Sequence, residues 1–201
     1  MKDVKMKFAV ALVAVVVLLA LAAWHFQAST QAAREQLGVL GGVHEHANFA
    51  LFIDAAAFNF SEEKYMSNDS RKLSRFVHLH DMDGGIIHKH AAGVRLYMFF
   101  ESIGMSFNST CLVLDDGTRY CSGGGKTLKM FVNGVPNSEF GAYEFHDLDR
   151  ILISFGSESD EQLKSQMDFV PDNACIPSGK CPERGTPGVE SGCGVEDNCV
   201  E

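Results

Sequence analysis

The sequence predicts an α+β domain: a small, mostly antiparallel, β-grasp-like sheet with one packed helix, set behind an N-terminal membrane helix and followed by a disulfide-rich C-terminal tail. Three observations lead there. Short apolar runs punctuated by Asp-Gly, Gly-Gly and Asn-Gly pairs recur between residues 45 and 155, which is how antiparallel strands and their turns read. The stretch from Ala91 to Gly104 departs from that pattern, with Val94, Tyr97, Met98 and Ile103 at helical spacing. All six cysteines lie beyond residue 110, in three close pairs.

The chain divides into four parts. Lys2, Lys5 and Lys7 precede an uninterrupted apolar run from Phe8 to Trp24, so residues 1–26 are expected to form a signal anchor. Lysines ahead of the run place the N-terminus in the cytoplasm, giving a single-pass cell-membrane protein with an extracytoplasmic domain. Cleavage near Leu21-Ala22-Ala23 or Ala28-Ser29 is the alternative. Residues 27–42 read as a stalk and linker ending at Gly38, Gly41 and Gly42, residues 43–169 as the globular His-rich domain, and residues 170–201 as the extended Cys-rich tail. An apolar content of 46% with 21% charged residues is that of a folded domain. The net charge of −9 argues against a nucleic-acid partner, which would require a basic stripe.

Within the domain, Phe49, Leu51 and Ile53 alternate with Asn48, Ala50 and Phe52 to predict the first strand. Asp54-Ala55-Ala56 then turns into a short second strand, Ala57–Phe60. Residues 61–75 are polar and read as a helical turn plus loop. Asn59, Asn68 and Asn108 each begin a glycosylation sequon, Asn68 in the most loop-like setting. Residues 78–90, HLHDMDGGIIHKH, predict a hairpin, with Asp83-Gly84-Gly85 expected to supply its positive-φ positions. After the helix, Cys111 and Cys121 flank a second hairpin turning at Asp116-Gly117, and Asn133-Gly134 closes a third that begins with the strand Leu128–Val132. Tyr143–Phe145, a turn at HDLD, the strand Ile151–Phe155 and a helix over Asp160–Met167 complete the domain.

The chemistry concentrates in histidine. His78 and His80 share one face of a strand, His88 and His90 one face of the next, and His44 and His46 repeat the spacing upstream. Six of eight histidines in three identical pairs predict a metal site, because neutral imidazole is the commonest protein ligand and a metal relieves the repulsion of clustered rings. Copper or zinc are the candidate ions. Whether His44 and His46 join the hairpin pairs depends on where their strand lies. Asp81 is a candidate to orient a ligand ring, Asp83 reads as a turn residue, Glu45 is a candidate general base, and Lys89 is expected to point away from the histidines to solvent. His25 and His146 read as ordinary, and the methionines as core filler.

In an oxidising exterior the cysteines read as structural bridges. Six cysteines allow fifteen pairings, of which Cys111 with Cys121, Cys175 with Cys181 and Cys193 with Cys199 are the nearest in sequence. The chain contains no Cys-x-x-Cys.

The strings HEHANFALFID, VHLHDMDGGIIHKH, LYMFFESIGM, LKMFVNG, HDLDRILISFG and ACIPSGKCPERGTP resemble a family of small membrane-anchored archaeal proteins that often carry the label "protein-disulfide isomerase". The resemblance spans about Gly42 to Pro187, and it implies thiol–disulfide exchange. Three functions are thus in view. The residues themselves favour a membrane-tethered metal-binding protein for capture, delivery or sensing. Thiol–disulfide exchange and a structural cell-surface module are the alternatives. Enzymatic activity is left open.

Overall fold

The computed structural model describes residues 15–24, 37–68 and 70–188, and the chain divides into two compact units, Met1–Leu37 and Gly38–Glu201. In the first, residues 15–24 are helical; among the described residues no helix is long and apolar enough to cross a membrane. The rest of the expected anchor and most of the stalk lie outside the described residues, as do Cys193 and Cys199.

The second unit is α+β and mostly antiparallel. Its main sheet runs β3 (Val77–His78), β4 (Ile86–Lys89), β1 (Glu45–Ile53), β10 (Arg150–Gly156), β8 (Thr127–Val132), β9 (Val135–Pro136), with β2 (Ala56–Ala57) pairing onto β1. The first and last long strands, β1 and β10, form a central parallel pair in which Phe49 faces Ile151 and Leu51 faces Ile153. Every other pairing in this sheet is antiparallel. A separate three-stranded sheet, β5 (Ser106–Phe107), β6 (Cys111–Val113) and β7 (Arg119–Cys121), carries the Cys111–Cys121 disulfide between directly opposed residues.

Helix α1 (Leu96–Ser102) and helix α2 (Asp160–Phe169) cover opposite faces of the main sheet. On one face Phe99 of α1 packs against Phe49, and Phe60 and Tyr65 extend that aromatic core. On the other, Met167 and Val170 at the end of α2 pack on Ala50, Phe52, Leu152 and Phe131. Both faces are therefore buried, and two helices pack where one was expected. The buried residues of α1 are Leu96, Phe99 and Phe100, with Tyr97 and Met98 only half-buried.

Three local expectations are corrected. The turn of the histidine hairpin is made by Asp81 and Met82, with φ of 56° and 59°, and the Asp83 N–H donates to the His80 carbonyl, the signature of a type I′ turn. Asp81 tolerates that backbone; Gly84 is needed for space, since a Cβ there would lie 2.5 Å from the Phe60 carbonyl carbon. Lys89 is not at the surface: it is 1% exposed, because the face it shares with Phe49 lies under α1 and the Phe145 segment. The second strand is shorter than expected and lies at Ala56–Ala57, after a turn with positive φ at Asp54 and Ala55.

Candidate metal centre

Register brings the histidines together. His46 pairs with His88 across β1 and β4, and His88 pairs with His78 across β4 and β3, so three adjacent strands place three imidazoles in one row. His44, His80 and His90 flank that row. The ring centroids trace a closed circuit: His44 to His46, 4.7 Å; His46 to His88, 4.6 Å; His88 to His80, 3.8 Å; His80 to His78, 5.8 Å; His78 to His90, 4.9 Å; His90 to His44, 4.8 Å. Five of the six rings are buried and His44 is exposed.

His44, His46 and His88 each offer a nitrogen within 4.8 Å of the others, a group that could hold a metal ion. His80 Nε2 lies 3.0 Å from His88 Nδ1. Two nitrogens bound to one ion at about 2.0–2.1 Å sit roughly 3 Å apart, so this spacing suits neighbouring ligands.

The far side of each ring decides which nitrogen is offered. His78 Nδ1 is 2.8 Å from the Ser74 carbonyl, which can only accept, so Nδ1 carries the proton and Nε2 keeps its lone pair. The Asp81 carboxylate, 2.8 Å from His80 Nδ1, imposes the same tautomer on His80. For His46 the chain is longer. The Ser178 hydroxyl donates to Asp147 Oδ1 at 2.6 Å, so its oxygen accepts from His46 Nδ1 at 2.8 Å and the proton of His46 sits on Nδ1, leaving the lone pair on Nε2. Burial works to raise the Asp147 carboxyl, but Lys180, Ser178 and the His46 backbone N–H together hold it below the usual range. An ionised Asp147 is the acceptor this chain requires. The proton shared between His80 and His88 is the one a metal would displace there.

Neighbouring side chains sort by strand parity. Glu45 and Lys89 lie opposite one another on the other face, with Glu45 Oε2 2.6 Å from Lys89 Nζ. The carboxylate expected to act as a base is thus paired away from the histidines. Asp83 Oδ1 accepts the Gly85 N–H, a turn role. His146 is exposed, with its backbone N–H bonded to Asp149. Met105 and Met130 are buried core residues.

Sequence reading missed Ser74, Ser178 and Asp147. Asp147 sits in the HDLD turn, where it read only as a turn residue, and the only signal for Ser178 was a polar residue inside a short disulfide loop. Cys175 and Cys181 are bonded, and the segment 173–178 docks beside His46 because buried Asn48 binds it twice: Asn48 Oδ1 accepts the Ala174 N–H and Asn48 Nδ2 donates to Asn173 Oδ1. No family model, curated protein or solved structure matches the chain.

Proposed function

We propose that this chain is a membrane-tethered, extracytoplasmic metal-binding protein that takes up copper or zinc through its histidine circuit, for capture, delivery or sensing. The observation that carries the reading is the closed ring of six imidazoles, with Ser74, Asp81 and Ser178 holding His78, His80 and His46 by Nδ1 so that each turns Nε2 to the cluster as the ligating atom. An all-nitrogen donor set suits both ions, and intrinsic affinity peaks at copper. The tether rests on the lysine-flanked apolar run, and the single exposed ring, His44, suits a point of ion entry. The strand order, with β4 and β8 flanking the parallel β1–β10 pair and α1 between them in sequence, supports the β-grasp-like reading.

Elemental analysis of the purified full chain, with circular dichroism as the check on folding, tests this. One or two equivalents of copper or zinc are expected, lost on combined substitution of His78, His80, His88 and His90 by Ala. Metal content unchanged in the folded variant would sink the proposal.

A second reading, thiol–disulfide exchange, comes from the family resemblance and one contact: Cys175 is partly exposed, with Arg184 Nη1 3.7 Å from its sulfur. A nearby cation favours a thiolate. This reading requires insulin-reductase activity that disappears in Cys175→Ser.

A further inference from the structure

The tail segment that touches the histidines is a closed ring, and Ser178 stands midway around it. Cys175 and Cys181 close the ring, while the Lys180 N–H donates to the Cys175 carbonyl and the Ser178 N–H to the Ala174 carbonyl. The loop meets the site at three points: Asn48 holds Asn173 and Ala174, Lys180 Nζ sits 2.5 Å from Asp147 Oδ2, and the Ser178 hydroxyl bridges Asp147 and His46 Nδ1. Of the two sulfurs, that of Cys175 is partly exposed beside Arg184, whereas Cys181 is buried. The Cys111–Cys121 disulfide belongs to the other sheet.

We propose that the Cys175–Cys181 disulfide places the histidine site under redox control. Ser178 is a positioning residue for His46 while the ring is closed, and two-electron reduction by an external dithiol releases it and weakens metal binding. The inference rests on the metal-binding reading above.

The exchange balances. One thiolate of the dithiol attacks Cys175 Sγ, the Cys175–Cys181 bond breaks, and the Cys181 thiolate takes up a proton. The second thiolate of the reductant then attacks its own sulfur in the mixed disulfide, expelling the Cys175 thiolate beside the Arg184 guanidinium. The products are two protein thiols and a cyclic disulfide of the reductant. With the ring open, closure no longer fixes the Ser178 hydroxyl at His46, and the imidazole loses the partner that set its tautomer.

Zinc titration of the full chain against a chromophoric competing chelator tests this. It compares oxidised protein, protein reduced with dithiothreitol and desalted under argon, and the variants Cys175→Ser/Cys181→Ser, Ser178→Ala, Ser178→Thr and Cys111→Ser/Cys121→Ser. The ring-opened double variant and Ser178→Ala are expected to bind zinc roughly 10–100-fold more weakly, the usual loss when a ligand's orienting partner is removed. Reduced wild type is expected to follow them, Ser178→Thr to retain affinity, and the Cys111/Cys121 variant to match wild type. The ¹⁵N shifts of His46 report the cause: a single Nδ1–H tautomer in the oxidised protein and a mixture in Ser178→Ala. Affinity equal to wild type in both Ser178→Ala and the ring-opened variant overturns the redox inference and leaves metal binding standing. No zinc or copper bound by the oxidised wild type overturns the metal reading instead.

Discussion

At the scale of single residues, the alternation of a strand separates two chemistries across one sheet. His46 and His88 project to one face; their neighbours Glu45 and Lys89 meet on the other, where Lys89 Nζ also donates to the Phe145 carbonyl at 2.5 Å. A buried lysine keeps its charge only with such partners. A one-residue slip of β1 against β4 would put Lys89 among the histidines, so the ion pair and the imidazole cluster specify the same register. Lys89→Met, which strands Glu45, is expected to destabilise the fold by about 3 kcal/mol, with less loss in Glu45→Gln/Lys89→Met. Urea denaturation checks the order, and equal losses would remove the pair from the account. The paired spacing of the histidines was legible because period two needs no tertiary knowledge. The burial of Lys89 was not, because alternation shows which residues share a face but not that a helix covers it.

At the scale of elements, the N-terminus of α2 is set locally and its other end by tertiary packing. Ser159 and Gln162 form a reciprocal capping box, Asp160 and Glu161 occupy the first turn, and Met167 and Val170 at the other end dock on the sheet. Ser159→Ala is expected to cost about 1 kcal/mol and to leave metal affinity unchanged, because α2 covers Ala50 and Phe52 rather than His46. A fall in affinity would mean that helix and site are coupled. The histidine hairpin behaves differently. Its turn presses on Phe60 and Ser61, so Gly84→Ala is expected to lower both thermal stability and metal affinity, read by a melt with and without zinc. Asn-Gly and Asp-Gly turns were readable from composition. The His80–Asp83 turn was misplaced by two residues because Asp81 and Met82 accept positive φ while two glycines nearby serve close packing.

At the scale of the molecule, acidic groups act together. Burial opposes the ionised forms of Asp115, Asp147 and Glu158, yet hydrogen bonds outweigh it in each case: from Lys64 and Tyr65, from Lys180 and Ser178, and from backbone and Lys129. Each folded carboxyl thus titrates below its unfolded value. The stability it contributes is present above the ordinary carboxylate range and is lost as pH falls through the folded value. Metal should leave earlier on acidification, since a proton competes for every ligating nitrogen. Two separate transitions, metal release and then unfolding, are expected in an acid titration followed by competitor absorbance and circular dichroism. A single joint transition would contradict this. The α+β class and most strands were legible because turn chemistry is local. The six-ring cluster was only half legible, since nothing local says that β1 lies beside β4, or that Ser178 folds back from the tail.

The central parallel pair has a consequence for how such a chain comes into being. His46 and Asp147, which meet at 3.0 Å, are 101 residues apart, and the strand that completes the middle of the sheet is the last one made. A ribosome releasing the chain from its N-terminus would deliver all six histidines well before their central support exists. Contacts this distant make for slow folding. A chain interrupted before residue 150 would therefore offer proteases an open sheet edge rather than a finished domain.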